Sequence, residues 1–299
     1  MEIMIVDIGS NSIKYDIFSP LCPHSRKHRS FVAGLIRYIQ NGVLSAEGME
    51  VLVNTLTAYQ KDAKEMGSPL YAFATASLRR VSDAGAVINE VEQRTGIHID
   101  LISGELESEL SLQGMLSVTA HDQTGLMIDM GGGSTELNVF DNESSVFSVS
   151  CPFGALSLKN EFVKDVFPTE QEAFTIEEYV KSVISSYENQ IQHNSLYMVG
   201  GSAKAFAKFL MHKQNAKTKG EPVFTSTEIR ETVRSMIPCS EEDKALLQTL
   251  LPDRYHLMLP SMIAYTVLLS YCGAKTVYVS TGGVREGYLL HITNENEKR

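Results

Sequence analysis

The chain has 299 residues, 43% of them hydrophobic, enough to bury a large core and long enough for about two domains. A formal net charge of −10 argues against general binding to DNA, RNA or a membrane surface. The four cysteines, Cys22, Cys151, Cys239 and Cys272, show no C-x-x-C spacing, which speaks against a zinc site and for reduced thiols.

The first strand is predicted at once, over Ile3 to Val6, with no basic region, apolar stretch and cleavage site before it. A cytoplasmic protein is therefore expected. That strand runs into Asp7-Ile8-Gly9-Ser10-Asn11-Ser12, and a second β-like segment, Ile13 to Phe18, follows. Next comes Ser19 to Ser30, the densest basic stretch, with Pro20, Pro23, His24, Arg26, Lys27, His28 and Arg29. It reads as a loop, either simply solvated or a lip that gathers polyanions. Ser45 is placed to cap a helix whose apolar stripe, Val51, Leu52, Leu56, Tyr59, Ala63 and Met66, ends at Gly67. A strand over Leu70 to Ala74, a helix over Asp83 to Arg94 and a strand over Ile97 to Ile102 give the alternation of a helix-covered sheet. Ser103-Gly104-Glu105-Leu106-Glu107-Ser108 then opens a helix.

The scheme repeats in the second half, with strands near 125–130, 135–141 and 145–150, a long helix within 169–193 and a strand at Leu196 to Val199. Leu257 to Cys272 is broken by Pro260, Ser261 and Ser270 and too short for a confident membrane span, so it is predicted as a buried helix ended by Gly273. Val199-Gly200-Gly201-Ser202 and Val279-Ser280-Thr281-Gly282-Gly283 are strand-to-helix turns. Their double glycines either bare N–H groups for an anion or simply allow close helix–strand packing.

The first loop recurs 122 positions on (129 minus 7) as Asp129-Met130-Gly131-Gly132-Gly133-Ser134-Thr135, again after an apolar run and again before a β-like segment. Each copy is a hairpin tip that can present backbone N–H groups and hydroxyls to a phosphate without Lys or Arg. It is not the strand-to-helix turn of a dinucleotide or Walker site. Two copies facing each other would clamp one phosphate chain, with Asp7 and Asp129 directed at a hard divalent ion. An acidic protein handling polyphosphate needs such an ion to offset its own field, so Mg²⁺ or Mn²⁺ is the expected cofactor.

These motifs, with Ala74-Thr75 and Leu78-Arg79, Ile102 to Glu107, Ile128 to Leu137, Gly200 to Ala203 and Ser280 to Gly287, stand in an order that resembles the exopolyphosphatase/guanosine pentaphosphatase (Ppx/GppA) family over nearly the whole chain. The resemblance implies an α/β fold of two RNase H-like, actin-like ATPase domains with the active-site cleft between them. The boundary would fall near 122, with residues 1–122 in the first domain and 123–299 in the second, and a C-terminal helix over about 285–299 packing back on the first. It implies a short form without the C-terminal HD-type domain. Two departures are visible: Gly34 to Gly42 lacks the family's glycine-glutamate stretch, and Thr281 stands where the family has Asp.

The activity implied is hydrolysis of a terminal phosphoanhydride, with inorganic polyphosphate or guanosine pentaphosphate as substrate. Glu107 would be the general base, and Glu136 would orient the water or hold metal beside Asp7 and Asp129. Gly9, Ser10, Asn11, Ser12, Gly131, Gly132, Gly133, Ser134, Thr135, Gly200, Gly201 and Ser202 would bind phosphate. Arg79 suits either a substrate phosphate or an interdomain ion pair, Lys14 either phosphate or solvent, and Arg285 the packing of the last helix. A homodimer is compatible with this reading. An actin-like kinase would need an adenine pocket that no feature singles out, and a non-catalytic polyphosphate or guanosine tetraphosphate sensor would dispense with the two glutamates.

Overall fold

The computed structural model describes residues 2–19, 22–214 and 221–297, with side chains other than those of 22–26 and 295–297. The chain divides into two compact units, one from residues up to Val118 together with those from Val284 onward, the other Thr119–Gly283.

In the first unit β1 (Ile3–Ile8), β2 (Ile13–Ser19) and β3 (Cys22–Phe31) form an antiparallel meander. A 3-10 turn at Leu35–Tyr38 and the small ribbon β4 (Ile39–Gln40) and β5 (Val43–Leu44) lead into α1 (Ala46–Met66). There the Ser45 side chain accepts from the Gly48 N–H, and Gly67 closes the helix at φ 63°. β6 (Leu70–Ala74), the one-turn α2 (Ala76–Arg79), α3 (Ala84–Thr95), β7 (Ile99–Leu101) and α4 (Gly104–Leu116) complete this part of the chain. β6 lies parallel to β1, and β7 parallel to β6, because the connections run through helices. The sheet order is β3-β2-β1-β6-β7.

The second unit repeats this plan and adds to it. β8 (Thr124–Met130), β9 (Thr135–Asp141) and β10 (Ser144–Cys151) form the meander, followed by α5 (Ala155–Phe162) and α6 (Glu170–Ile184). Then come β11 (Ser195–Val199), α7 (Gly200–Lys213), β12 (Val223–Thr225), α8 (Ser226–Ser235), α9 (Glu241–Leu250), α10 (Tyr255–Cys272) and β13 (Thr276–Val279). The order β10-β9-β8-β11-β13-β12 again places an antiparallel meander on one side of β8 and parallel strands, β11 and β13, on the other, with β12 added antiparallel to β13 at the edge. This is the duplicated RNase H-like, actin-like arrangement.

The basic stretch expected as a loop is instead largely strand: residues 22–30 belong to β3 at the edge of the sheet, with Cys22 and residues 27–30 paired to β2. Pro20 lies outside the described residues. Arg29 is tied to Asp62 at 2.5 Å and stands over the Tyr59 ring, so its charge serves the packing of β3 on α1.

α10 is apolar all round and runs through the core of the second unit, with Leu259, Met262, Ile263 and Leu268 fully buried. Among the described residues no helix is long and apolar enough to cross a membrane. The final helix, α11 (Val284–Glu297), belongs to the first unit. Its Tyr288, Leu289 and Ile292 pack with Ile5, Phe18 and Phe73 on the face of the sheet opposite α1. The Arg285 Nε meets the buried Asp16 Oδ2 at 2.9 Å, and His28 Nδ1 lies 3.1 Å from the other carboxylate oxygen.

Candidate active site

The two Asp-headed loops have the same construction. In the first, the Gly9 N–H donates to the Ser12 carbonyl at 3.1 Å; in the second, the Gly131 N–H donates to the Ser134 carbonyl at 2.9 Å. Neither Gly9 nor Gly131 uses left-handed backbone. Their Cβ positions would lie 3.2 and 3.3 Å from those same carbonyl oxygens, so closeness of the turn, rather than positive φ, favours glycine there.

In each unit the segment after the third strand holds the loop by its carbonyls. Gly34 and Ile36 donate to the Asn11 and Ser10 carbonyls at 2.8 and 3.2 Å. Ala155 donates to Gly131, and Leu156 and Ser157 both to Gly132, at 2.9 to 3.0 Å. In a planar trans peptide the N–H points opposite to the C=O. Anchoring these carbonyls therefore turns the N–H groups of Asn11 and Ser12, and of Gly132 and Gly133, to the other side of each loop. The N-terminus of α5 presses so closely that a Cβ on Gly154 would stand 2.6 to 2.7 Å from the backbone of Gly131, Gly132 and Gly133.

Side chains add to these nests unequally. Ser10 Oγ and Asn11 Nδ2 are buried and, among the described residues, have no hydrogen-bond partner, an unusual state for buried polar groups and one that an anion or an ordered water would relieve. Ser12 and Ser134 are buried at the same tips. Thr135 departs from expectation: its single O–H donates to the Phe153 carbonyl at 2.7 Å, so the hydroxyl serves the fold and is spent as a phosphate donor.

The acids sit at the ends of β1 and β8. Asp7 is paired across the hairpin with Lys14, whose Nζ lies 4.0 Å from its Oδ2. At the equivalent place in the second unit Asp129 is opposite Glu136, which accepts from Ser150 Oγ at 3.0 Å. Burial, and then the charge of Glu136, push the neighbouring Cys151 thiol up to about 12. Among the described residues no three acidic, histidine or cysteine side chains converge into a ready-made metal cage.

Arg79 and Glu107 meet. Thr75 N and Ser77 Oγ both donate to the Ile8 carbonyl, which sets α2 against the base of the first hairpin. From the end of α2, Arg79 Nη1 reaches Glu107 Oε2 at 2.6 Å and the Ile102 carbonyl at 3.1 Å. Glu107 lies in the first turn of the helix capped by Ser103. Its place is fixed further by α11, since a Cβ on Gly287 would fall 1.8 Å from the Leu110 carbonyl oxygen.

In the second unit the Gly200 turn follows the strand beside β8. Gly200 has φ 86°, and its Cβ would lie 2.5 Å from Asp129 Oδ1, so the carboxylate rests on the first turn of α7. Gly201 carries the Arg254 guanidinium, with Nη2 2.9 Å from the Cβ position. The third turn behaves differently. The Gly282 N–H is taken by Ser280 Oγ at 3.0 Å and the Thr281 N–H by Glu221 Oε1 at 2.9 Å, while Gly283 is a packing glycine against Val199. Arg254 and Glu221 escaped sequence reasoning because neither lies within a motif; each reaches its glycine turn from more than 50 residues away in the chain.

Comparison with known proteins agrees with this fold. An exopolyphosphatase from Cytophaga hutchinsonii superposes with a TM-score of 0.88 at 18% identity, over 99% of this chain and 98% of its own. The Ppx/GppA family member from Aquifex aeolicus gives 0.81 at 21%, over 99% of each chain. Exopolyphosphatase 1 of Mycobacterium leprae is 21% identical over 301 residues, which cover 97% of this chain and 89% of that protein. The model of the Ppx/GppA phosphatase family matches residues 26–296, and the chain belongs to that family.

Proposed function

We propose that the protein is an exopolyphosphatase, which hydrolyses the terminal phosphoanhydride of inorganic polyphosphate and releases orthophosphate with the help of Mg²⁺ or Mn²⁺. The observation that carries this reading is the pair of loops with anchored carbonyls and outward amides, one of them holding the unpartnered Ser10 hydroxyl and Asn11 amide. Membership of a phosphatase family makes the chain a hydrolase of phosphoanhydrides, and guanosine pentaphosphate ends in the same kind of bond.

The amides of Asn11, Ser12, Gly132 and Gly133 bind phosphate oxygens. Arg79 holds Glu107 through Oε2, and Glu107 takes the proton of the attacking water, a service worth about 10²–10⁴ in rate. Asp129 and Glu136, side by side on one face of the second sheet, suit Mg²⁺, which takes one or two carboxylates and fills its remaining positions with water and phosphate oxygens. When bound, the ion neutralises charge developing on the transferred group. In the first unit Asp7 is the corresponding carboxylate, with Lys14 beside it.

Orthophosphate release from polyphosphate with Mg²⁺, with Mn²⁺ and in excess EDTA tests the proposal. Release that requires the cation is expected; equal release in EDTA would overturn the metal dependence, and none under any condition would overturn the activity.

A further inference from the structure

Three turns stand at one end of the second unit's sheet, after β8, β11 and β13. The first directs amides outward and the second carries Arg254. The third instead holds a carboxylate. Glu221 Oε1 accepts from the Thr281 N–H at 2.9 Å, Thr281 Oγ1 at 3.0 Å and Thr119 Oγ1 at 2.9 Å. Three donors on one oxygen fix a half-buried carboxylate in place. Among the described residues, every hydrogen bond to Glu221 falls on Oε1, and Oε2 is the oxygen left to meet a ligand. Lys204 Nζ donates to the Thr281 carbonyl at 2.7 Å and offsets part of the charge.

The sheet gives the scale. Glu221 precedes β12, which pairs with β13, and the strands lie in the order β8-β11-β13-β12. At about 4.8 Å per strand, the end of β13 is roughly 10 Å, and the start of β12 roughly 14 Å, from the end of β8. A phosphate chain gripped at the first two turns therefore meets an anion at the third, where another nest would have extended the grip. A carboxylate repels a further phosphate and accepts from hydroxyl or N–H donors.

We infer that Glu221 is a specificity-determining residue that selects short phosphate chains, bare or capped by a nucleoside, against long inorganic polyphosphate. This rests on the proposed phosphate grip, but its test separates the two. Calorimetric affinities of the intact protein for tripolyphosphate, guanosine pentaphosphate and long-chain polyphosphate are measured beside kcat/KM for each. They are compared with Glu221→Gln, which keeps an acceptor for Thr119 and Thr281, and with Glu221→Ala.

Both substitutions should raise the ratio of long-chain to tripolyphosphate affinity about fivefold, an effect that shrinks as salt is added. Glu221→Gln should lower affinity for the nucleotide relative to tripolyphosphate. An unchanged ratio in both variants, or wild-type affinity that grows with chain length, would overturn the inference. If the binding ratios shift as expected while no substrate is hydrolysed, the inference stands and the enzymatic reading falls.

Discussion

Gly287→Ala tests how far the C-terminal helix controls the place of Glu107, the proposed base. The added methyl would lie 1.8 Å from the Leu110 carbonyl oxygen, 2.6 Å from its carbon and 2.9 Å from the Leu110 Cα. These are backbone atoms, so no rotamer relieves the clash. Ordinary contact begins near 3.4 Å, so α11 and α4 must part by about 1.6 Å, the difference between 3.4 and 1.8. Leu110 stands three residues, just under one turn, beyond Glu107, and a carboxylate held by Arg79 at 2.6 Å cannot follow that shift unchanged. Misplacement by about 1 Å can cost 10²-fold in rate. Overpacking of this kind costs about 3 kcal/mol at the upper end of its usual range, or roughly 10 °C in melting temperature. The control is Gly67→Ala, where φ is 63° but nothing lies within 4 Å, so backbone strain of about 1 kcal/mol is the only penalty. Calorimetric melting and steady-state phosphate release on both variants decide the matter. If Gly287→Ala melts and turns over like Gly67→Ala, the seat of Glu107 is not set by α11.

Two other outcomes are expected. Gly154→Ala should push α5 off the Gly131–Gly133 backbone and lower kcat/KM more than tenfold while circular dichroism stays native; unchanged kinetics would remove the loop from the site. Burial first, then nearby acidic groups, push the Cys151 thiol up to about 12 and the Cys239 thiol up to about 11. Thiols whose folded values exceed the unfolded one, near 9, add stability that is complete below that pH and is lost as pH rises toward 11 to 12. Iodoacetamide labelling of the native protein at neutral pH, read by peptide mass, should leave Cys151 unmodified and label the half-buried Cys239 only slowly, and rapid labelling of Cys151 would contradict its burial.

What the sequence revealed was local. The hairpin tips were legible because Asp, Gly and Ser in a short run after an apolar strand fix turn chemistry by themselves. The helix over Ala46–Met66 was legible from its Ser45 cap, its stripe and Gly67, and the buried helix ended by Gly273 from its composition. β3 was misread because prolines and cations signal a loop, whereas an edge strand tolerates both on its open side. Pairings across the fold left no trace in spacing. Asp16 and Arg285 are 269 positions apart (285 minus 16), and each looks like an ordinary surface charge until the last helix returns to the first sheet. Arg79 was open between two roles because its partner, Glu107, sits on a helix whose position depends on that same return.

The account turns on Glu107 as the base of a phosphoanhydride hydrolase. Steady-state release of orthophosphate from tripolyphosphate by Glu107→Gln, with substrate affinity measured on the same preparation, addresses it directly. Turnover should fall by about 10²–10⁴ with affinity within a few-fold of wild type, because the amide still accepts from Arg79 but cannot take a proton. Retention of more than about half the wild-type turnover would contradict the assignment and move the base to Glu136.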